Sequence, residues 1–215
     1  TLKGMKVKST NGHTYGLLTG NSATASWVMY NDFENNDASN VAFGFDGSAT
    51  YTAFTADYNN IYDASGSGSH FLEVPGAAEF DTFEFKHSLI DAASGTVTLG
   101  AKSKSSMSFS YNEFGDDTDG MNGVLFTGGT TNPAGTFTEI NFHNNKFSLP
   151  QGSYAVRIDD DLTDDEIAGA DWYSNFVIEN NSIDIVPNHE AVGFADASTS
   201  SPSNDVYAEC NWWGA

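Results

Sequence analysis

An asparagine followed two residues later by a large apolar side chain returns along the whole chain. It reads Asn31-Asp32-Phe33, Asn59-Asn60-Ile61, Asn112-Glu113-Phe114, Asn145-Lys146-Phe147, Asn181-Ser182-Ile183 and Asn211-Trp212-Trp213. His87-Ser88-Leu89 is the copy without asparagine, and with His87 in the column the steps are 28, 28, 25, 33, 36 and 30 residues. Self-similarity at a period of 20 to 50 residues is the signature of a solenoid or a propeller, whose units bury their apolar faces only against one another.

A second column narrows the choice. Gly16-Leu17-Leu18, Phe43-Gly44-Phe45, Leu72-Glu73-Val74, Val97-Thr98-Leu99, Val124-Leu125-Phe126, Val156-Arg157-Ile158 and Val192-Gly193-Phe194 share an alternating pattern in phase with the asparagines. Alternation places every second side chain on one face of a strand. The units are too short for four-stranded propeller blades, so stacked coils of two or three short strands are expected. Rungs of such a stack lie about 4.8 Å apart. Asparagines Asn31, Asn59, Asn112, Asn145, Asn181 and Asn211 would then form a hydrogen-bonded ladder of side-chain amides, with His87 standing in once. Asparagine also tolerates left-handed backbone at a bend better than most residues.

The chain has 215 residues, 39% hydrophobic and 13% aromatic, enough for one core spanning 1–215. With 29 acidic against 8 basic residues the formal charge is −21 and the isoelectric point about 4.1. Phosphate recognition needs clustered cations, so nucleic acid and anionic membrane surfaces are excluded as partners. No apolar run reaches the roughly 18 residues of a membrane helix. Cys210 is alone, so packing rather than an internal disulfide must hold the coils. The opening Thr1-Leu2-Lys3 reads as the middle of a coil, so a piece of a longer precursor is expected.

Along the chain, Leu2 to Lys8 is expected to form one strand with Met5 and Val7 on one face. Turns are marked by Asn11-Gly12 and Asp46-Gly47. Thr163-Asp164-Asp165-Glu166 has capping-box spacing and predicts a short helical turn over 164–169. The fold expected is all-β: a right-handed parallel β-helix of about seven coils with one short helical insertion.

The columns, and above all Cys210-Asn211-Trp212-Trp213-Gly214, resemble the right-handed parallel β-helix repeat proteins of the pectate-lyase-like superfamily. The resemblance implies a secreted or cell-surface protein. It does not select among lyases, glycoside hydrolases, tailspikes, adhesins and wall components, because one fold hosts many functions. Ala101-Lys102-Ser103-Lys104-Ser105 resembles a Lys-Ser segment of the alginate-lyase branch, but Val124-Leu125-Phe126-Thr127-Gly128 lacks the arginine that branch would place in the next coil.

Candidate chemistry is sparse. Lyase action on uronic acids needs a cation against the carboxylate and a base for the α-proton. Lys102 and Lys104 have no basic partner in frame, and Arg157 alternates outward between Val156 and Ile158, beside Asp159 to Asp161. For hydrolysis, Asp63, Asp91 and Asp116, following Asn35, would stand in one row of successive rungs about 5 Å apart, a spacing suited to a glycosidase pair or to calcium. The same residues are also ordinary turn formers. Asp116, Asp117 and Asp119, with Asp159 and Asp161, offer hard oxygen ligands for Ca²⁺, although neither cluster has full EF-hand spacing. The five histidines lie on separate coils without metal-ligand spacing. Exposed aromatics are expected at Tyr58, Tyr62, Tyr111, Trp27, Trp172, Trp212 and Trp213, where they could stack on sugars, pack on a neighbour or cap the core.

An extracellular or cell-surface structural or adhesive protein is expected, with no required cofactor, calcium as the ion its acidic turns suit, and partners that are itself or a neighbouring domain through the helix ends. Polysaccharide is the other expected partner. The alternative is a polysaccharide-degrading enzyme, a glycoside hydrolase, lyase or tailspike-like depolymerase, using Asp63, Asp91 and Asp116.

Overall fold

The computed structural model describes residues 1–9, 15–19, 23–37, 40–47, 50–63, 69–91, 93–99, 105–115, 123–128, 139–149, 154–158, 176–185, 192–194 and 208–212. Three parallel sheets of seven strands each wind together into a right-handed parallel β-helix, and among the described residues there is no helix. The predicted turn over 164–169 lies outside those residues.

The first sheet stacks Leu2–Lys3, Ala23–Met29, Thr50–Asp57, Glu79–Lys86, Ser106–Ser110, Glu139–His143 and Phe176–Glu179. The second stacks Lys6–Lys8, Asp32–Asn35, Asn60–Asp63, Leu89–Asp91, Glu113–Gly115, Lys146–Leu149 and Ser182–Ile185. The third stacks Tyr15–Thr19, Val41–Phe45, Ser69–Val74, Ala93–Leu99, Val124–Gly128, Val156–Ile158 and Val192–Phe194. Every strand pairs with its counterpart one coil away, never with its neighbour in sequence. The coil repeat therefore sets the register.

The core is built from columns of like side chains. Val28, Ala56, Phe85, Phe109, Phe142 and Ile178 succeed one another along the first sheet. Phe33, Ile61, Ile90, Phe114, Phe147 and Ile183 do so along the second. All twelve are buried. Rings on adjacent rungs lie flat on one another, Phe109 on Phe142 at 4.7 Å and Phe114 on Phe147 at 4.6 Å between centroids. Each such pair adds about 0.5–1.5 kcal/mol beyond the area it buries.

Three sequence expectations are corrected. Leu2 to Lys8 is two strands in two sheets, divided at Gly4, whose φ of 69° turns the corner that only glycine takes without a steric penalty. Val7 consequently faces the core while Met5 is exposed. In the third sheet the copy opposite Leu72 and Val124 is Gly95-Thr96-Val97, not Val97-Thr98-Leu99. Leu72 pairs with Gly95 across a register shift, and the Phe71 ring occupies the space beside the glycine: a Cβ there would sit 2.6 Å from that ring. Leu17-Leu18-Thr19, rather than Gly16-Leu17-Leu18, opposes Phe43-Gly44-Phe45.

A further correction concerns the bend between the first and second sheets. The left-handed residue is the one before each ladder asparagine. It is Tyr30, Tyr58, His87, Tyr111, Asn144, Asn180 or Cys210, with φ between 47° and 57°. His87 therefore belongs to the left-handed column and Ser88 to the ladder.

Candidate functional site

The corner joining the first and second sheets carries an internal ladder and an external stack, one residue apart in sequence. Inside, Asn31, Asn59, Asn112, Asn145 and Asn181 are buried, as predicted for the ladder, and Asn211 is half-buried. Each link repeats one pattern. The Asn112 backbone N–H donates to Asn145 Oδ1 at 3.0 Å, its Nδ2 donates to the same oxygen at 3.1 Å, and Nδ2 also donates to the Phe85 carbonyl at 2.8 Å. Asn145 makes the same bonds to Asn181 and Phe109, and Asn181 to Asn211 and Phe142. Such amides are satisfied on both faces, which a buried polar column requires.

Ser88 interrupts this column. Its Oγ accepts the Asn59 N–H at 3.1 Å but donates within its own coil to the Lys86 carbonyl, so the donation to the preceding coil that the asparagines make is lost there. Asn59 and Asn112 each donate to the inner-column residue one coil earlier, Val28 and Phe85. For position 88 that residue is Ala56. Ser88→Asn is expected to restore the bond and raise unfolding free energy by about 1 kcal/mol, measured by urea unfolding against wild type. A drop instead would mean the site has no room for the longer side chain.

Outside, the left-handed residues stack. Tyr30 lies on Tyr58 at 5.0 Å between centroids with an interplanar angle of 4°, Tyr58 on His87 at 4.7 Å, and His87 on Tyr111 at 5.2 Å. Lys3 Nζ sits 4.9 Å from the Tyr30 centroid, and the His143 ring meets Tyr111 edge-on. His87 Nδ1 also pairs with Asp57 Oδ1 at 2.8 Å. A non-glycine residue in left-handed backbone is disfavoured by roughly 1–2 kcal/mol. Ring pairs worth about 0.5–1.5 kcal/mol each offset much of that, which accounts for large aromatics where glycine would fit. The rings spend their faces on one another, so what Tyr58 and Tyr111 offer outward is edges and hydroxyls, not the flat faces on which sugars stack.

Beside this corner, on the outer face of the second sheet, Glu34 gathers the Lys8 ammonium, the Tyr62 hydroxyl at 2.9 Å and Lys6 at 3.2 Å. Hydrogen bonds from Lys8 above all, then from Tyr62 and Lys6, hold its carboxyl down to about 2. A carboxyl lowered in the folded state contributes stability that is complete above its unfolded value near 4.5 and is lost as pH falls from there toward 2. Glu34→Gln is accordingly expected to flatten the pH dependence of unfolding in that window, with its loss of stability present in full above about pH 4.5 and fading toward pH 2, as followed by thermal melts.

Within the predicted acidic row, Asp63 and Asp91 fall in different columns. Asp63 opposes Asn35, whereas Asp91 opposes Tyr62 on one side and Gly115 on the other. The two carboxylates are one position apart in register, hence in adjacent columns, and successive positions of a strand point to opposite faces. The offset follows from Ser88, not His87, holding the ladder position. Asp63 Oδ2 accepts the Ser69 N–H at 2.8 Å, tying its strand to the start of the next. Asp116, Asp117, Asp119, Asp159 and Asp161 lie outside the described residues, as do Lys102, Lys104, His13, His189, Trp172 and Trp213. Among the described residues no three His, Cys, Asp or Glu side chains converge on a metal-sized site. Arg157 is half-buried, its guanidinium 5.3 Å from the Tyr154 ring centroid. His70 is half-buried, bonded to Ser94 Oγ at 3.0 Å, and burial pushes its imidazole down.

Of the predicted exposed aromatics, Tyr58, Tyr111, Trp27 and Trp212 are exposed and Tyr62 is half-buried. Tyr30 and His87, the other members of the stack, were not predicted as a site. Their signal was present as a third column, Tyr, Tyr, His, Tyr, Asn, Asn, Cys, one residue ahead of the ladder.

Fold and site together define a parallel β-helix solenoid whose corners are bonded coil to coil. No family model, no curated protein and no solved structure matches the chain. The pectate-lyase-like resemblance is therefore supported at the level of the parallel β-helix.

Proposed function

We propose that the chain is a non-catalytic structural or adhesive solenoid of a cell surface or appendage. The observation that carries this is how the outer side chains are used. Lys6 and Lys8 reach across a coil boundary to Glu34, Tyr62 reaches Glu34 from the other side, Lys146 reaches Glu113, and the corner rings stack. Groups committed to joining coils stiffen a rod. Its partners are further copies or neighbouring domains that continue the stack at the helix ends, since a parallel edge strand left bare is a template for pairing. The acidic turns would take calcium where such rods meet. The displaced register of Asp63 and Asp91 supports this over a polysaccharide-degrading enzyme, because a retaining pair needs its carboxyls about 5–5.5 Å apart across one bond.

Light scattering and negative-stain microscopy of the native material, with and without a calcium chelator, test the proposal. Filaments or sheets that loosen on chelation are expected. A calcium-indifferent monomer that shortens an acidic or neutral polysaccharide would replace it with the depolymerase.

A further inference from the structure

We propose that Tyr30 and Tyr58 form a site of oxidative coupling, at which a one-electron oxidant of the haem-peroxidase class joins the two rings into an intrachain dityrosine. The inference is independent of the scaffold function proposed above.

The site rests on geometry that the other described tyrosines lack. Tyr30 and Tyr58 are successive members of one column with nearly the same backbone, φ 55° and 52°, so their rings project alike and lie parallel at 5.0 Å. Both are about half exposed, at 50% and 47%, so an oxidant can reach them. Tyr111 is separated from Tyr58 by the His87 ring. Tyr15 and Tyr62 hydrogen-bond to Glu73 and Glu34, and Tyr51 is buried against Phe80. Among the described residues, Tyr30 and Tyr58 are the exposed tyrosines whose rings are in direct contact.

The chemistry balances with peroxide as terminal oxidant. Each phenol loses one electron to the haem oxidant and one proton to water, giving two phenoxyl radicals whose spin density is shared with the ortho carbons. An ortho carbon of one ring bonds to an ortho carbon of the other. Each then loses its hydrogen as a proton to restore the phenol, and hydrogen peroxide takes up two electrons and two protons to become two waters. The rings must tilt toward each other to close the gap. They stand outside the core, with Lys3 on the far side of Tyr30, so the tilt disturbs no buried packing. The bond would close a 28-residue loop between adjacent coils in a chain whose single Cys210 allows no internal disulfide. Like a disulfide, it would restrict the unfolded chain.

The experiment treats the full folded chain with a haem peroxidase and hydrogen peroxide. Expected are blue dityrosine fluorescence and a monomer lighter by two hydrogens. Cleavage before aspartates, which separates residues 1–31 from 57–62 in the untreated chain, should then release these fragments joined. Tyr30→Phe and Tyr58→Phe keep a ring in the stack and should each abolish the joined fragment, while Tyr111→Phe leaves it. The proposal is overturned by a joined fragment that survives Tyr58→Phe through Tyr62, or by equal yield from the urea-unfolded chain. It is equally overturned by links only between chains, or by oxidised monomer without the link.

Discussion

Asn145→Ala is expected to lower unfolding free energy by about 3–5 kcal/mol, whereas Asn144→Gly, one residue earlier, should change it by less than about 1 kcal/mol. The contrast comes from which groups lose partners. Asn145 Oδ1 accepts two bonds from Asn112, and Asn145 Nδ2 supplies the Phe109 carbonyl at 2.8 Å and Asn181 Oδ1 at 3.0 Å. Alanine leaves the Asn112 N–H and the Phe109 carbonyl without those partners beside a core closed to water, and each buried group left unmade costs about 1–3 kcal/mol. Asn144 is exposed, at φ 57°, so glycine there relieves backbone strain while loosening the unfolded chain, two effects of similar size and opposite sign. Urea titrations of both variants measure the difference. Equal effects would mean the ladder contributes no more than the bend.

The sequence was readable where one residue type recurs and misleading where a column changes type. Asparagine and phenylalanine columns announced the stack because parallel rungs reward identical neighbours, through amide pairs in one case and ring faces in the other. At Ser88 the ladder residue is not asparagine, and aligning His87 instead moved Asp91 one position in register relative to Asp63. A shift of one residue exchanges the two faces of a strand, so Asp63 and Asp91, which the His87 alignment places in one row, fall in different columns. Gly95 hid its column for another reason. The volume expected of its own side chain is supplied by Phe71, a residue of the adjacent coil, and no pattern within one repeat reveals that. The corner stack was missed because Tyr58 and Tyr111 enter the sequence reading as exposed single residues, Tyr30 is not among them, and His87 stands in the ladder column. Glu34 was missed because Lys6, Lys8 and Tyr62 reach it from coils more than 25 residues away in the chain. What a repeat cannot encode is how its departures are compensated in the neighbouring coil.

Adding one methyl group at Gly123 is expected to be nearly as damaging as breaking the ladder. In four coils of the third sheet a small residue precedes the inner column, Gly16 before Leu17, Ala42 before Phe43, Gly123 before Val124 and Ala155 before Val156, while Phe71 holds that position before Leu72. At Gly123 a Cβ would fall 2.2 Å from the Ala155 carbonyl oxygen and 3.1 Å from the Phe147 ring. That oxygen cannot withdraw freely, because it accepts the Val124 N–H at 3.0 Å, while the Gly123 N–H donates to Tyr154 at 2.9 Å. Its conflict is with backbone, so relief requires the two coils to part where Val124 pairs with Val156. Gly123→Ala should therefore cost about 3 kcal/mol, the upper part of the range for overpacking, against the roughly 0.4–1 kcal/mol that alanine returns by restricting the unfolded chain. Gly16→Ala is the control. There a Cβ would meet the Ala42 oxygen and the Phe33 ring at 3.2 Å each, distances that a shift of a few tenths of an ångström relieves, so a change below about 1 kcal/mol is expected. Thermal melts of the two variants decide the matter: a Gly123→Ala chain as stable as Gly16→Ala would show that adjacent coils slide apart at little cost, and that the rod is softer along its axis than its bonded corners imply.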